Sequence, residues 1–246
     1  MLDCSSLERI IPDQLTDGGT TGVATLDLHL ERYEFAARHL TSGTLLDMAC
    51  GVGYGTSYLV SACPQIREAI GVDLSQDAIG YASARYTDTR IQWIVADATA
   101  YRPAELADKS GFDNIVSLET IEHLPHPEPF FRHLVDLLRP GGILVASVPT
   151  TPSMDGNPHH LTDFTEHSFR RMARGLPLEE MTALGQEQPF SATQVLAGKE
   201  KRLTRDHRSL FKFYWQHPGK LVSRTVSTVR YGFVNRYSTI VWQRER

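Results

Sequence analysis

Cysteine is scarce in this chain of 246 residues: Cys4, Cys50 and Cys63 are the only three, and no Cys-x-x-Cys pair occurs. That argues against a disulfide framework or a zinc–thiolate site and points to a reduced, cytoplasmic setting. No run of ~18 apolar residues is present, so neither a transmembrane helix nor a membrane partner is expected. The opening Met-Leu-Asp-Cys-Ser-Ser lacks the basic-then-apolar pattern of a signal peptide. Internal repeats and low-complexity tracts are missing too. The remainder is ordinary globular composition, 41% hydrophobic and 22% charged, with apolar surface enough for a sizeable core.

The net charge of −4 hides an asymmetry. Residues 199–246 carry twelve Lys or Arg against three acids, while residues 1–198 hold thirteen bases and twenty-six acids. The basic stretch is also aromatic, with Phe211, Phe213, Tyr214, Trp215, Tyr231, Phe233, Tyr237 and Trp242. Such a stretch can mark a surface for nucleic acid, a membrane or an anionic substrate, and equally a solvated face or a dimer contact. A homodimer is therefore among the expected assemblies.

Short apolar runs alternate with amphipathic ones. Strands are predicted at Thr44–Met48, Ala69–Asp73, Ile91–Ala96, Phe112–Leu118 and Gly142–Val148, and helices at Gly55–Ser61, Gln76–Tyr86 and Glu128–Leu138. Pro140-Gly141-Gly142 is read as the stop of the last helix. This alternation means βαβ units: an α/β, Rossmann-like, doubly wound sheet. Leu26–His39 is predicted as a preceding helix, His167–Arg174 as a later one, and Leu178–Gln186 and Ser238–Gln243 as two final strands. The chain is thus expected to be a single domain, 1–246. It comprises an N-terminal helical cover (1–42), a ligand-binding core (43–186), a basic helical insertion (187–237) and a final strand (238–246).

The sharpest motif is Leu45-Leu46-Asp47-Met48-Ala49-Cys50-Gly51-Val52-Gly53-Tyr54-Gly55. A strand ends in glycines where the next helix must begin, which lets the backbone turn tightly and approach a ligand. The dinucleotide fingerprint would need a glycine at position 56, where this chain has Thr56. Three acids fit a bound nucleoside. Asp73, twenty residues after Gly53, is placed to accept both ribose hydroxyls. Asp97 is placed at an adenine's exocyclic amine, and Asp47 near a ligand ammonium. One strand-end Asp is usually a cap; three beside a glycine turn point to a ligand.

With LLDMACGVGYG, AIGVDLS, IVADATAY, FDNIVSLETIEHL and LLRPGGILVASVP in this order, residues 27–175 resemble the class I S-adenosylmethionine-dependent methyltransferases. The nearest branch is the ubiquinone-type and the sugar or natural-product O-methyltransferases. The resemblance implies a seven-stranded, mostly parallel sheet with an antiparallel last strand. It implies that Asp47, Ala49, Gly51 and Gly53 surround the methionine moiety of S-adenosylmethionine. Asp73 and Leu74 would hold the ribose and adenine, Asp97 and Ala98 the adenine edge, and Leu118 and Glu119 would lie under the sulfonium.

Methyl transfer needs alignment of nucleophile and methyl, and an oxygen nucleophile of high pKa needs its proton removed. His123, after the fourth strand, and His159 and His160, after the fifth, are the candidate bases; His123 and His160 are taken as the catalytic pair. The alternative is that His123 only packs within its turn. Glu119-x-x-Glu122-His123 with a later His160 is also similar to small-RNA 2′-O-methyltransferases, which use such residues to hold a divalent metal. If one helical turn carried Glu119, Glu122 and His123 on a single face, His160 would complete a two-oxygen, two-nitrogen set suited to Mn²⁺, Fe²⁺, Co²⁺ or Zn²⁺. The metal-free account is favoured, because Glu119 cannot serve both cofactor and metal. The expected acceptor is a small molecule with a hydroxyl. RNA ranks second, and a non-catalytic adenosyl-ligand-binding subunit third.

Overall fold

The structure, a computed structural model, describes residues 20–103, 111–150, 160–189, 214–231 and 234–246. The elements run α1 (Thr20–Ala37), β1 (Gly43–Met48), α2 (Tyr54–Ala62), β2 (Ile66–Asp73), α3 (Gln76–Arg85), β3 (Ile91–Val95) and β4 (Phe112–Leu118). After a 3₁₀ turn at Ile121–His123 come α4 (Pro127–Leu137), β5 (Leu138–Pro149), α5 (Glu166–Arg171), β6 (Leu178–Pro189), α6 (Pro218–Tyr231) and β7 (Val234–Arg244). Seven strands form one sheet in the order β3-β2-β1-β4-β5-β7-β6. β1 to β5 are mutually parallel, and β7, inserted between β5 and β6, is antiparallel to both. The expected doubly wound sheet and its antiparallel last strand are both present.

Central strands are apolar on both faces because both faces are covered. Along β1, Leu45 packs with Tyr33, Phe35, Leu59 and Val60 on one side, while Leu46 and Met48 pack with Phe130, Phe131 and Leu134 on the other. Helix α4 supplies that second layer through Phe130, Phe131, Leu134, Val135 and Leu137 at helical spacing, and Pro127 opens its first turn. Phe131, Phe169 and Trp242 meet edge-on with centroids 5.3–6.5 Å apart, which ties α4 and α5 to β7.

Pro140-Gly141-Gly142 follows the end of α4. The helix ends at Leu137, and the three residues lie in the irregular start of β5, where pairing to β4 jumps from Phe112↔Leu138 to Asn114↔Ile143. Four residues are looped out there, and Gly141 takes φ +77° to allow it. Strand order reverses between β1 and β4, so the crevice of this sheet opens at their carboxyl ends. The motifs identified above converge on that edge.

Candidate active site

The glycine turn leaves β1 through three left-handed residues at alternate positions: Ala49 (φ 68°), Gly51 (φ 59°) and Gly53 (φ 83°). Gly53 is the N-cap of α2, and a Cβ there would lie 2.6 Å from the Trp93 ring. Among the described residues, a Cβ at Gly51 would meet nothing within 4 Å, so this part of the turn is open to a ligand's approach. Gly55 answers a different need, since a Cβ on it would fall on the Tyr33 ring of α1. Thr56, in the place of a dinucleotide-type glycine, donates from Oγ1 to Asp47 Oδ2 at 2.6 Å.

The strand-end acids have distinct environments. Asp47 is fully enclosed, and burial pushes its carboxyl up to about 7, against the Thr56 hydrogen bond and with the Asp73 charge adding to the rise. Asp73 accepts from Gly51 N at Oδ2 (3.0 Å) and from Ser75 N at Oδ1 (2.9 Å), so it braces the glycine turn against the start of α3. Beside it Leu74 is 72% exposed, an apolar side chain left in solvent at a carboxyl edge. Asp97 is exposed and accepts from the amide and the hydroxyl of Thr99, bonds that hold its carboxyl below the usual range. Ala98 is half-buried against the core. The open approach at Gly51, a bare Leu74 and the Asp73 carboxylate fit an adenosyl ligand.

At the end of β4, Leu118 is half-buried and Glu119 adopts φ 50°, a strained conformation for a residue with a side chain. Its amide donates to Ser147 Oγ at 3.0 Å, and Ser147 Oγ donates to Glu119 Oε1 at 2.8 Å. Arg32, 1% exposed on α1, lies with Nη1 3.8 Å from Glu119 Oε1. Its Nε donates to Gln186 Oε1 at 2.7 Å, and its guanidinium stacks 4.2 Å over the Tyr237 ring. Among the described residues Arg32 Nη1 has no hydrogen-bond partner. The α1 helix also places His29 Nδ1 2.8 Å from the Tyr54 hydroxyl. Ser147 was not legible as a site residue: it is one polar residue in an apolar run.

Glu119 stands apart from Glu122, His123 and His160. Glu119 is not on one helical face with Glu122 and His123, because its left-handed backbone precedes a short 3₁₀ turn at Ile121–His123 and sends its carboxylate to Ser147 and Arg32. Glu122, His123 and His160 do come together, with one ligand atom from each within 4.8 Å of the others. The rings of His123 and His160 meet edge-on at 4.9 Å, and His123 Nε2 lies 3.9 Å from Glu122 Oε1. Glu122 is buried, and its backbone carbonyl accepts from the amides of Leu161 (2.9 Å) and Thr162 (3.0 Å), which fastens the His160 segment to the end of β4. His159 and Cys4 lie outside the described residues.

Residues 46–146 match the methyltransferase domain model. The chain is 33% identical over 108 residues to a trans-aconitate 2-methyltransferase of Azoarcus sp., covering 44% of this chain and 40% of that protein. It is 30% identical over 111 residues to a ubiquinone biosynthesis O-methyltransferase of Paraburkholderia xenovorans, covering 44% of each. The chain thus spans less than half the length of either relative. Its fold superposes on the N-methyltransferase NodS of Bradyrhizobium japonicum, solved with S-adenosylhomocysteine, with a TM-score of 0.62 and 16% identity over 98% of this chain and 97% of that one. No helix among the described residues is long and apolar enough to cross a membrane. Domain match, strand order and glycine turn agree: residues 46–146 form a methyltransferase domain on a Rossmann-like sheet.

Proposed function

We propose that this protein transfers a methyl group from S-adenosylmethionine to an oxygen of a small-molecule acceptor, with His123 and His160 as the proton-accepting pair. The observation that carries the reading is the pair itself. Two imidazoles meet at 4.9 Å beside the buried Glu122 carboxylate, at the same sheet edge as the glycine turn and Asp73. Asp47, Ala49, Gly51 and Gly53 would hold the methionine moiety, Asp73 and Leu74 the ribose and adenine, Asp97 and Ala98 the adenine edge, and Leu118 and Glu119 the region of the sulfonium.

When bound, S-adenosylmethionine supplies an electrophilic methyl group. The chain's share is to orient the acceptor and take its proton. One imidazole accepts the hydroxyl proton, and the Glu122 carboxylate 3.9 Å from His123 Nε2 offsets the positive charge that results. Glu119, locked by Ser147, and Arg32, whose Nη1 lies 3.8 Å from Glu119 Oε1, line the floor at the end of β4.

Glu122, His123 and His160 also form a two-histidine, one-carboxylate set, which supports a second reading in which they hold a divalent metal that lowers the acceptor's pKa. RNA is the alternative acceptor. It would show as binding that weakens steeply with salt, as phosphate contacts do. A ligand-binding subunit without activity is the third reading, and the histidine pair counts against it.

The test is incubation with methyl-labelled S-adenosylmethionine and a panel of hydroxyl, carboxyl and amine acceptors, with RNA in parallel. Label in a small-molecule O-methyl group, lost by 10²–10⁴-fold in His123→Ala or His160→Ala, is the expected result. Label in RNA or in an N-methyl group alone overturns the assignment.

A further inference from the structure

Helix α6 lies in the basic stretch between β6 and β7, and it presents Lys220 and Arg224 one turn apart. Arg224 is 1% exposed. Its Nη2 donates to Asp163 Oδ1 at 2.7 Å, its Nε to Asp163 Oδ2 at 3.3 Å and its Nη1 to the Tyr214 hydroxyl at 3.3 Å. Lys220 Nζ donates to the carbonyl of Leu161 at 2.6 Å. The 160–163 segment is therefore held from two sides: by the Glu122 carbonyl through its amides at Leu161 and Thr162, and by α6 through Leu161 and Asp163. His160, at its start, meets His123 edge-on.

A buried guanidinium–carboxylate pair adds little net stability after desolvation, but its forked geometry fixes direction. Removing one partner strands the other charge, so the pair resists exchange for a looser contact. Its placement matters more than its strength. The Asp163 anchor sits three residues from His160, in a segment with no helix or strand of its own. Besides α6, the segment is held by the two amide bonds to Glu122, by Thr162 Oγ1 donating to the Leu124 carbonyl at 3.5 Å and by the His123–His160 ring contact.

We propose that Arg224 is a positioning residue: through Asp163 it holds the 160–163 segment, and with it His160, against His123. This rests on the reading of His123 and His160 as the reacting pair. It gives α6 a defined task, as the clamp that completes the acceptor side of the active site.

The test compares wild type with Arg224→Ala, Arg224→Lys and Asp163→Asn, all saturated with S-adenosylhomocysteine. Amide hydrogen exchange is read at Leu161 and Thr162, with the amides of β1 and β4 as internal reference. In Arg224→Ala, exchange at the two amides is expected to rise by about 10-fold or more while the reference amides stay unchanged, since only a local unit opens. S-adenosylhomocysteine affinity should stay within twofold. With an acceptor in hand, kcat should fall by about 10–100-fold, the cost of a misplaced group, and Arg224→Lys should recover part of it.

Wild-type exchange at Leu161 and Thr162 overturns the proposal. So does a rise of equal size throughout the sheet, which would make Arg224 a general stability residue. Should Arg224→Ala fail to fold, Asp163→Asn, which keeps the volume and removes the charge, carries the same comparison. Local opening in Arg224→Ala together with normal turnover in His160→Ala would overturn the catalytic reading and leave the clamp standing, so the two failures are distinct.

Discussion

Ser147 and Glu119 hold each other across two parallel strands: the serine hydroxyl donates to the carboxylate at 2.8 Å and accepts the glutamate's own amide at 3.0 Å. The exchange keeps Glu119 at φ 50° on the floor of the site. Ser147 is fully buried, so Ser147→Ala takes its hydroxyl from the half-buried Glu119 carboxylate, while the Glu119 amide keeps its bond to the Ser147 carbonyl at 3.3 Å. The expected loss is about 1–3 kcal/mol of stability, read as a lower urea midpoint at unchanged slope. Turnover should fall further than stability alone explains, because the Glu119 backbone would relax. An unaltered midpoint would show the bond to be incidental.

The sheet was legible because its strands are apolar runs too short for helices, and each central one is apolar on both faces. The strands at Thr44–Met48 and Phe112–Leu118 need at most one residue of adjustment. The glycine turn was legible because residues at positive φ there are mostly Gly, though Ala49 shares that conformation. What stayed hidden depends on distant partners or on backbone that residue type does not announce. Nothing in Leu-Glu-Thr marks Glu119 as left-handed, so a helical face for Glu119, Glu122 and His123 looked natural. Arg32 finds Gln186, 154 residues away, and no local pattern gives that pairing. Thr56 could be read as a missing glycine, but not as the hydroxyl that satisfies Asp47.

Asp73 serves the turn as well as the ligand proposed for it. Its two oxygens accept from Gly51 N and Ser75 N, and a carboxylate oxygen can accept more than one hydrogen bond. Asp73→Ala is expected to cost S-adenosylhomocysteine binding roughly 1.5–3 kcal/mol per hydrogen bond removed, with Asp73→Asn intermediate because it retains one acceptor oxygen. Isothermal calorimetry decides. Wild-type affinity in the alanine variant would remove Asp73 from the binding site.

Asp47 makes stability depend on pH in an unusual direction for a carboxylate. Its folded value of about 7 lies above the ordinary 3.8, so between about pH 4 and 7 the folded chain holds a proton that the unfolded chain has released. The contribution to stability is full below about pH 4 and is lost as pH rises through about 7. Asp47→Asn carries no charge and still accepts from Thr56, so its curve should be flat in this window. At pH 8 the variant is expected to exceed wild type by roughly 1–4 kcal/mol in urea unfolding, with no such gain at pH 4. Parallel curves for the two proteins would show that Asp47 ionises freely in the fold.

Chelation separates the two accounts of the histidine pair. Glu119 is engaged by Ser147 and Arg32, which leaves Glu122, His123 and His160 as the ligand set. A site of two imidazoles and one carboxylate suits Mn²⁺, Fe²⁺, Co²⁺ or Zn²⁺ better than Mg²⁺, which prefers oxygen and water. Proton removal by the proposed pair would need none of these ions, because the Glu122 carboxylate lies 3.9 Å from His123 Nε2, where it would balance an imidazolium. Turnover is therefore expected to survive exhaustive EDTA treatment, with no stoichiometric metal by elemental analysis, while His160→Ala still loses 10²–10⁴-fold. Activity that disappears with EDTA and returns with Mn²⁺ or Zn²⁺ but not Mg²⁺ would instead make the same three side chains ligands. In that case Glu122→Gln, which removes the one charged ligand, should lose metal affinity together with turnover.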